Sequence, residues 1–201
     1  MMARTGRRPG DSGTRGAILD AARRSFAEDG YEASTMRSIA GRAGVDPALL
    51  YHYFGSKEQL FVTAMQLPFS PSELIPTVVE GGRERLGERI VRLFLAIWDR
   101  GDGLSPFLAL LRSASANERA AAMLREFISR EVIGQLARTL GLPQAELRAT
   151  LVGSQVAGLA VVRYILRVEP LASADHDTVV ACVAPTVQRY LTEDLGLGPV
   201  P

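Results

Sequence analysis

The chain has little of what most enzyme chemistry needs. Its 201 residues include one cysteine, Cys182, and two histidines, His52 and His176. A single thiol excludes an intrachain disulfide. Its place among Val179, Val180, Val183 and Val187 reads as that of a small core hydrophobe on an apolar helix face. Asp175-His176-Asp177 resembles a metal cluster by composition alone. Three consecutive residues at a helix start point in different directions, so capping is the better reading, and no metal is expected. No glycine-rich phosphate loop follows a strand-like run, and no nucleophile stands beside a base, so neither an enzyme nor a cofactor is expected. Long apolar runs are lacking as well. Leu151 to Val162 is interrupted by Ser154 and Gln155 and falls short of the roughly 18 residues a membrane span needs. The N-terminus is rich in arginine and glycine without an apolar stretch, so no secretory signal is expected. These features together lead us to expect a cytoplasmic protein that does not enter a membrane.

What the chain does contain is a substantial apolar fraction, 47%, enough for a large core in one or two domains. The formal net charge is only +1, yet six arginines fall within residues 1 to 24 against Asp11 and Asp20. A local basic region on a neutral chain suits a discrete nucleic-acid-binding domain better than a general polycation. Lysine is nearly absent: 22 of the 23 basic residues are arginine, and the exception is Lys57.

Lys57 ends the most informative stretch, Thr35 to Lys57. Thr35 can cap a helix carrying Ile39, Ala40 and Ala43 on one face, and Gly44 supplies a turn. Asp46 caps a second helix with Pro47 at its first position, where the missing N–H costs nothing. On a helical wheel Pro47, Leu50, Tyr51 and Phe54 fall on one side, and Ala48, Leu49, His52 and Tyr53 on the other. Leu50 and Phe54 can anchor the helix while the opposite face is offered outward, as major-groove reading requires. Ser56 and Gln59 form a capping-box pattern for a third helix with Leu60, Phe61, Ala64 and Met65 as its stripe. Lys57, in the first turn of that helix, opposes its dipole, which a bound phosphate would relieve.

The run Thr35, Ile39-Ala40, Ala43-Gly44-Val45, Leu50-Tyr51, Phe54 and Ser56-Lys57-Glu58 with Leu60 resembles the TetR-type (TetR/AcrR-like) transcriptional regulators over about residues 14 to 66. The resemblance implies an all-α homodimer of about nine helices, with an N-terminal helix-turn-helix three-helix domain and a C-terminal helical domain for ligand binding and dimerisation. It implies a sequence-specific regulator, read here as a repressor released from a palindromic operator by a small molecule. The alternative is a ligand-binding or interaction protein whose helix-turn-helix does not bind an operator. Carried over position by position, the DNA-contacting set is Thr35, Arg37, Pro47, Ala48, Leu49, Tyr51, His52, Tyr53 and Lys57. In that set Thr35, Tyr51 and Lys57 would meet phosphates, and Arg37 could reach a guanine. Pro47, Ala48 and Leu49 carry no amide side chain, so base preference does not follow.

Along the chain, residues 1–13 read as a flexible basic arm with Arg4, Arg7 and Arg8. Residues 14–66 read as the DNA-binding domain, in which a first helix capped by Thr14 ends at Gly30. Residues 67–195 read as the ligand-binding and dimerisation domain and 196–201 as a tail. Helical stripes recur from Leu86 to a stop at Gly101-Asp102-Gly103, then from Ser105-Pro106, and from about Ala116 to Leu140. Large side chains at Phe94, Trp98, Phe107, Leu111, Met123 and Phe127, with Gln155 and Tyr164, suggest a pocket for an apolar or amphipathic effector. The last two long helices, about 143–166 and 175–195, with Pro185 expected to kink the second, suggest a dimer interface. Its expected residues are Gly153, Ala157, Val179, Val183, Val187 and Leu191.

Overall fold

The computed structural model describes residues 10–99 and 104–196, without the side chains of 10–12, 104–108 and 115. Among the described residues there is no strand. The helices are α1 Gly10–Ala33, α2 Met36–Ala43, α3 Pro47–Phe54, α4 Lys57–Met65, α5 Pro71–Val79, α6 Leu86–Trp98, α7 Leu104–Ala116, α8 Glu118–Phe127, α9 Gly134–Leu140, α10 Ala145–Ala160 and α11 His176–Thr192. A π-helical segment, Ile128–Ile133, joins α8 to α9, and another, Val161–Ile165, extends α10. With α8 and α9 taken as one helix there are ten among the described residues, against about nine expected. The additional one is α5, where the sequence showed only a short apolar segment between two breaks.

The chain divides into two compact units, and the division is not the expected cut after residue 66. The first unit holds residues 1–70 together with 105–127, and the second holds 71–104 with 128–201. Helices α7 and α8 therefore belong with the helix-turn-helix. The reason lies in the core of the first unit, where Phe26, Tyr31 and Phe61 are fully buried and Phe127, the last residue of α8, joins them. Phe127 stacks on Phe61 with ring centroids 4.4 Å apart and meets Tyr31 edge-on at 5.4 Å. Burying each such ring stabilises by about 1.5–3 kcal/mol, with the aromatic geometry adding to it.

Helix α1 begins at Gly10, earlier than the expected arm boundary at residue 13, while residues 1–9, with Arg4, Arg7 and Arg8, lie outside the described residues. It breaks as expected at Gly30, whose φ of 85° and ψ of 174° suit glycine almost alone. Glu126 holds this turn from α8: its carboxylate accepts the Glu32 N–H at 2.8 Å and would lie 3.0 Å from a Cβ at position 30.

In the second unit α6 and α11 pack along their length. Gly87 makes this possible, since a Cβ there would fall 2.4 Å from the Ala184 carbonyl oxygen. The Gly87 N–H donates to Gln188 Oε1 at 2.8 Å, and Gln188 Nε2 donates to the Arg83 carbonyl at 2.7 Å. Helix α11 presents Val179, Val180, Ala184, Val187 and Leu191 to the interior and runs unbroken through Pro185. Cys182 points the other way and is exposed, which corrects the expectation of a core thiol. Asp175 caps α11, accepting the Thr178 N–H at 2.8 Å, and these hydrogen bonds hold its carboxyl below the usual carboxylate range.

The expectation that no apolar stretch approaches span length also needs correction. Ala145–Ile165 is a 21-residue helical run long and apolar enough to cross a membrane by length and composition. Ser154 and Gln155 do not end it, because single polar residues leave a helix intact. Arg148 and Arg163 lie within it and are buried, and Arg148 binds the carbonyls of Tyr190 and Glu193 at 2.8 and 2.9 Å, at the C-terminal end of α11. The stop expected at Gly101-Asp102-Gly103 lies outside the described residues; α6 itself ends at Trp98.

Candidate nucleic-acid interface

Local chemistry determines how α2 and α3 are set. Thr35 Oγ1 accepts the Ser38 N–H at 3.0 Å while Ser38 Oγ accepts the Thr35 N–H at 3.0 Å, closing a capping box at α2. Gly44, left-handed at φ 68°, ends α2, and the Val45 N–H returns to the Ala40 carbonyl at 3.1 Å. Asp46 Oδ1 then accepts the Ala48 N–H at 2.7 Å and starts α3 with Pro47 in its first turn. Arg42, in the last turn of α2, pairs with Glu28 and, at 3.0 Å, with Asp29 of α1. Arg23 Nε reaches from α1 to the Ala64 carbonyl at 2.9 Å, so α1 braces α4 as well. The Arg15 guanidinium lies 5.3 Å from the Phe54 ring centroid.

On this frame α3 turns Leu50 and Phe54 inward and leaves Ala48, Leu49, Tyr51 and His52 exposed, with Pro47 and Tyr53 half-buried. Tyr51 is 56% and Leu49 36% exposed. The wheel placed Tyr51 on the anchored side, yet its ring stands out into solvent. His52 and Tyr53 meet edge to face, 5.4 Å between centroids. Arg37 is exposed on α2. The nine expected contact residues thus lie on two consecutive helices and the start of a third.

Two of them are committed within the chain. Thr35 Oγ1 also donates to Ser38 Oγ at 3.1 Å, so a phosphate would have to take that proton from Ser38. Lys57 Nζ donates to the Glu32 carbonyl at 3.1 Å and sits 4.4 Å over the Tyr31 ring. A first-turn cation thus has an intramolecular seat as well as a possible anionic one. The expected capping box at α4 is half present: Ser56 Oγ accepts the Gln59 N–H at 3.0 Å, but Gln59 Nε2 donates to Ser70 Oγ at 2.8 Å. The sequence reading missed the Arg42 clamp and the seat of Lys57. Arg42 at a helix end was visible, but its carboxylate partners lie 13 and 14 residues earlier.

The eight residues expected around an effector do not form one group. Phe94, Trp98 and Tyr164 come together in the second unit, with Trp98 stacked on Tyr164 at 5.2 Å and Phe94 5.5 Å from Trp98. Tyr164 Oη donates to Asp99 Oδ1 at 2.9 Å, and burial first, then this bond, pushes the phenol up to about 12. His176 pairs with the same carboxylate. Gln155 is half-buried on α10. Leu111, Met123 and Phe127 belong instead to the first unit, and the Phe107 side chain lies outside the described set.

The expected dimer residues also separate. Val179, Val187 and Leu191 are buried in the chain's own core, 1%, 0% and 0% exposed, because α11 packs against both α6 and α10, and Val183 is half-buried. Gly153 and Ala157 are exposed on α10, in line with exposed Val161 and Ile165 of its π-helical extension, and Leu147 is exposed near the start of the helix.

Two family models match the chain: residues 18–64 match "Bacterial regulatory proteins, tetR family", and residues 84–191 match "Tetracyclin repressor-like, C-terminal domain". The HTH-type transcriptional regulator BetI of Rhizobium meliloti is 52% identical over 52 residues, covering 26% of this chain and 26% of that protein. The HTH-type transcriptional repressor AcnR of Corynebacterium efficiens is 38% identical over 82 residues, 41% of this chain and 42% of that protein. The chain thus spans less than half the length of these curated relatives. A solved TetR-family regulator from Streptomyces coelicolor A3 is 41% identical, with 92% of this chain and 98% of that one covered and a TM-score of 0.47. Because the C-terminal family model alone covers more than half of the sequence, the chain belongs to the TetR family, a family of transcription regulators and not of enzymes.

Proposed function

We propose that the protein is a sequence-specific DNA-binding transcription regulator that reads a palindromic operator as a homodimer and acts as a repressor. The observation that carries this reading is α3, a short helix anchored by Leu50 and Phe54 that leaves Ala48, Leu49, Tyr51 and His52 in solvent. Such a helix enters a major groove by its N-terminal face, Ala48 and Leu49 offering apolar contact to thymine methyls. Thr35, Tyr51 and Lys57 would bond phosphates, Arg37 would reach a base edge, and Pro47, His52 and Tyr53 would flank them. Purified protein incubated with genomic fragments at moderate salt should retain a set sharing one palindrome. Recovery of fragments without a common sequence would favour the alternative, a ligand-binding or interaction protein that keeps the helix-turn-helix without an operator.

For the dimer we assign the exposed face of α10, with Gly153 and Ala157 at its centre, together with exposed Cys182 of α11. Small residues there let a second helix approach closely. For the effector we assign the Phe94, Trp98 and Tyr164 cluster, where an apolar or amphipathic compound would insert and favour one of two states of the dimer. Trp98 is the sole tryptophan, so its emission should change with any compound that releases operator DNA. Release with no change in emission would remove the effector from this cluster.

A further inference from the structure

The first unit has a cleft of its own, of about 430 Å³, formed by α1, α4, α7 and α8. Its apolar wall includes Met65, Leu110 and the buried Met123, and its polar residues include Arg23, Asn117 and Arg119. Among the described residues no carboxylate lines it. Arg23 is held in place, its Nε on the Ala64 carbonyl at 2.9 Å and its Nη1 on Asp20 at 2.8 Å. Arg119 is exposed, and no acidic side chain pairs with it among the described residues. Asn117 Oδ1 caps α8, accepting the N–H groups of Arg119 and Ala120 at 2.9 and 3.2 Å. That geometry fixes the backbone from which Arg119 extends.

We propose that this cleft is a binding site for an amphipathic anion, whose apolar body lies against Met65, Leu110 and Met123 while its carboxylate or similar head is held by Arg119 and Arg23. The volume is in the range of small-molecule sites, and thioether side chains adapt to unbranched apolar bodies. Arg119, which has no acidic partner among the described residues, selects the sign of the head group, and its planar fork can hold a carboxylate through two parallel hydrogen bonds, while Arg23, paired with Asp20, adds a donor at the rim. The site is separate from the Trp98 cluster and does not depend on an effector binding there.

Calorimetry on the full chain with sodium decanoate as the probe tests this, with decyltrimethylammonium as the cation of equal chain length. Decanoate should saturate at one site per chain while the cation does not. Arg119→Ala, an exposed change that leaves the fold intact, should weaken decanoate about tenfold or more. Ala120→Trp, which fills the cleft, should abolish binding, with circular dichroism confirming the folded chain. The proposal is overturned if decanoate does not bind at roughly millimolar concentration, or if both amphiphiles bind alike. It is equally overturned if Arg119→Ala binds as the wild type does. Decanoate that changes Trp98 emission equally in wild type and Arg119→Ala would place the anion at the other cluster.

Discussion

Helices α3 and α10 each leave one face in solvent, and the two faces differ in what their polar atoms do. On α3 the exposed Tyr51 hydroxyl is engaged by no hydrogen bond among the described residues. On α10 the exposed hydroxyls are already satisfied: Thr150 Oγ1 donates to the Glu146 carbonyl at 2.8 Å and Ser154 Oγ to the Leu151 carbonyl at 2.7 Å. What α10 offers is therefore apolar, through Leu147, Gly153, Ala157, Val161 and Ile165. Exposure alone does not say what a helix face is for. Open donors and acceptors call for a polar partner, whereas hydroxyls turned back on their own helix leave a surface that only an apolar one suits.

The sharpest way to break this comparison is to put charge on the apolar face. Gly153→Arg with Ala157→Arg should shift the dimer equilibrium by a thousandfold or more, about 4 kcal/mol, since an obligate interface of about 2,000 Å² cannot bury two unpaired guanidiniums per chain. Sedimentation should show monomers at micromolar concentration. An unchanged dimer would mean that α10 faces solvent for another reason.

Next comes a change behind the reading face. Phe127→Ala removes the ring that stacks on Phe61, and the cavity should lower stability by about 3–5 kcal/mol in thermal or urea unfolding. Because Glu126 and Phe127 hold the turn at Gly30 to Glu32, the same change should loosen the seat of Lys57 and weaken all DNA sequences alike. A loss under about 1 kcal/mol would show that α8 contributes little to this core.

Smaller effects separate reading from positioning on α2 and α4. Arg37→Ala should cost about 1–3 kcal/mol per half-site on the preferred operator and relax one symmetric base position. Lys57→Ala should reduce the salt slope by roughly 0.9 for each phosphate that is no longer neutralised, so about twice that for a dimer. Lys57 also sits on Tyr31 and the Glu32 carbonyl, so a drop in melting temperature with an unchanged slope would assign it to the fold and not to DNA. Binding at several salt concentrations on operator and scrambled DNA distinguishes these outcomes.

The helix-turn-helix was legible because its signals are local. Gly44, Asp46, Pro47 and Ser56 each act on backbone groups within a few residues, so the order and ends of α2, α3 and the start of α4 follow from the sequence. Family resemblance and the structure then agree on the all-α class. What was not legible depended on distant partners. Gln59 fitted a capping box, but its amide is turned to Ser70 eleven residues on, and the Ser56 N–H it would accept donates to the Phe54 carbonyl at 2.8 Å. The dipole argument for Lys57 considered the helix end and solvent, while the Tyr31 ring supplied a third environment. On α11 apolar residues occupy most of the circumference, so the valine spacing could not tell that packing within the chain covers Val179, Val187 and Leu191 and leaves Cys182 outside. Phe127 was assigned to a ligand pocket because its size and spacing were visible, whereas its stacking on Phe61, 66 positions earlier, was not.

The smallest effect tests the aromatic cluster assigned to the effector. Tyr164 Oη donates to Asp99, and its ring stacks on Trp98, so Tyr164→Phe keeps the stack and removes one hydrogen bond. The loss in stability near neutral pH should be about 0.5–1.5 kcal/mol, and at its lower end if water replaces the phenol at Asp99. The pH dependence gives a second reading. A phenol raised from 10.0 to about 12 by folding contributes stability that is fully present below pH 10 and is lost as pH rises through about 12. Throughout the neutral range Tyr164 therefore remains an uncharged donor to Asp99. An ultraviolet titration of the folded protein should show a late phase that includes Tyr164, and Tyr164→Phe should reduce its amplitude by one tyrosine. If all five tyrosines titrate together near pH 10, or the late phase keeps its full amplitude in Tyr164→Phe, Tyr164 is neither buried nor bonded to Asp99 as described, and the cluster around Trp98 is open to solvent.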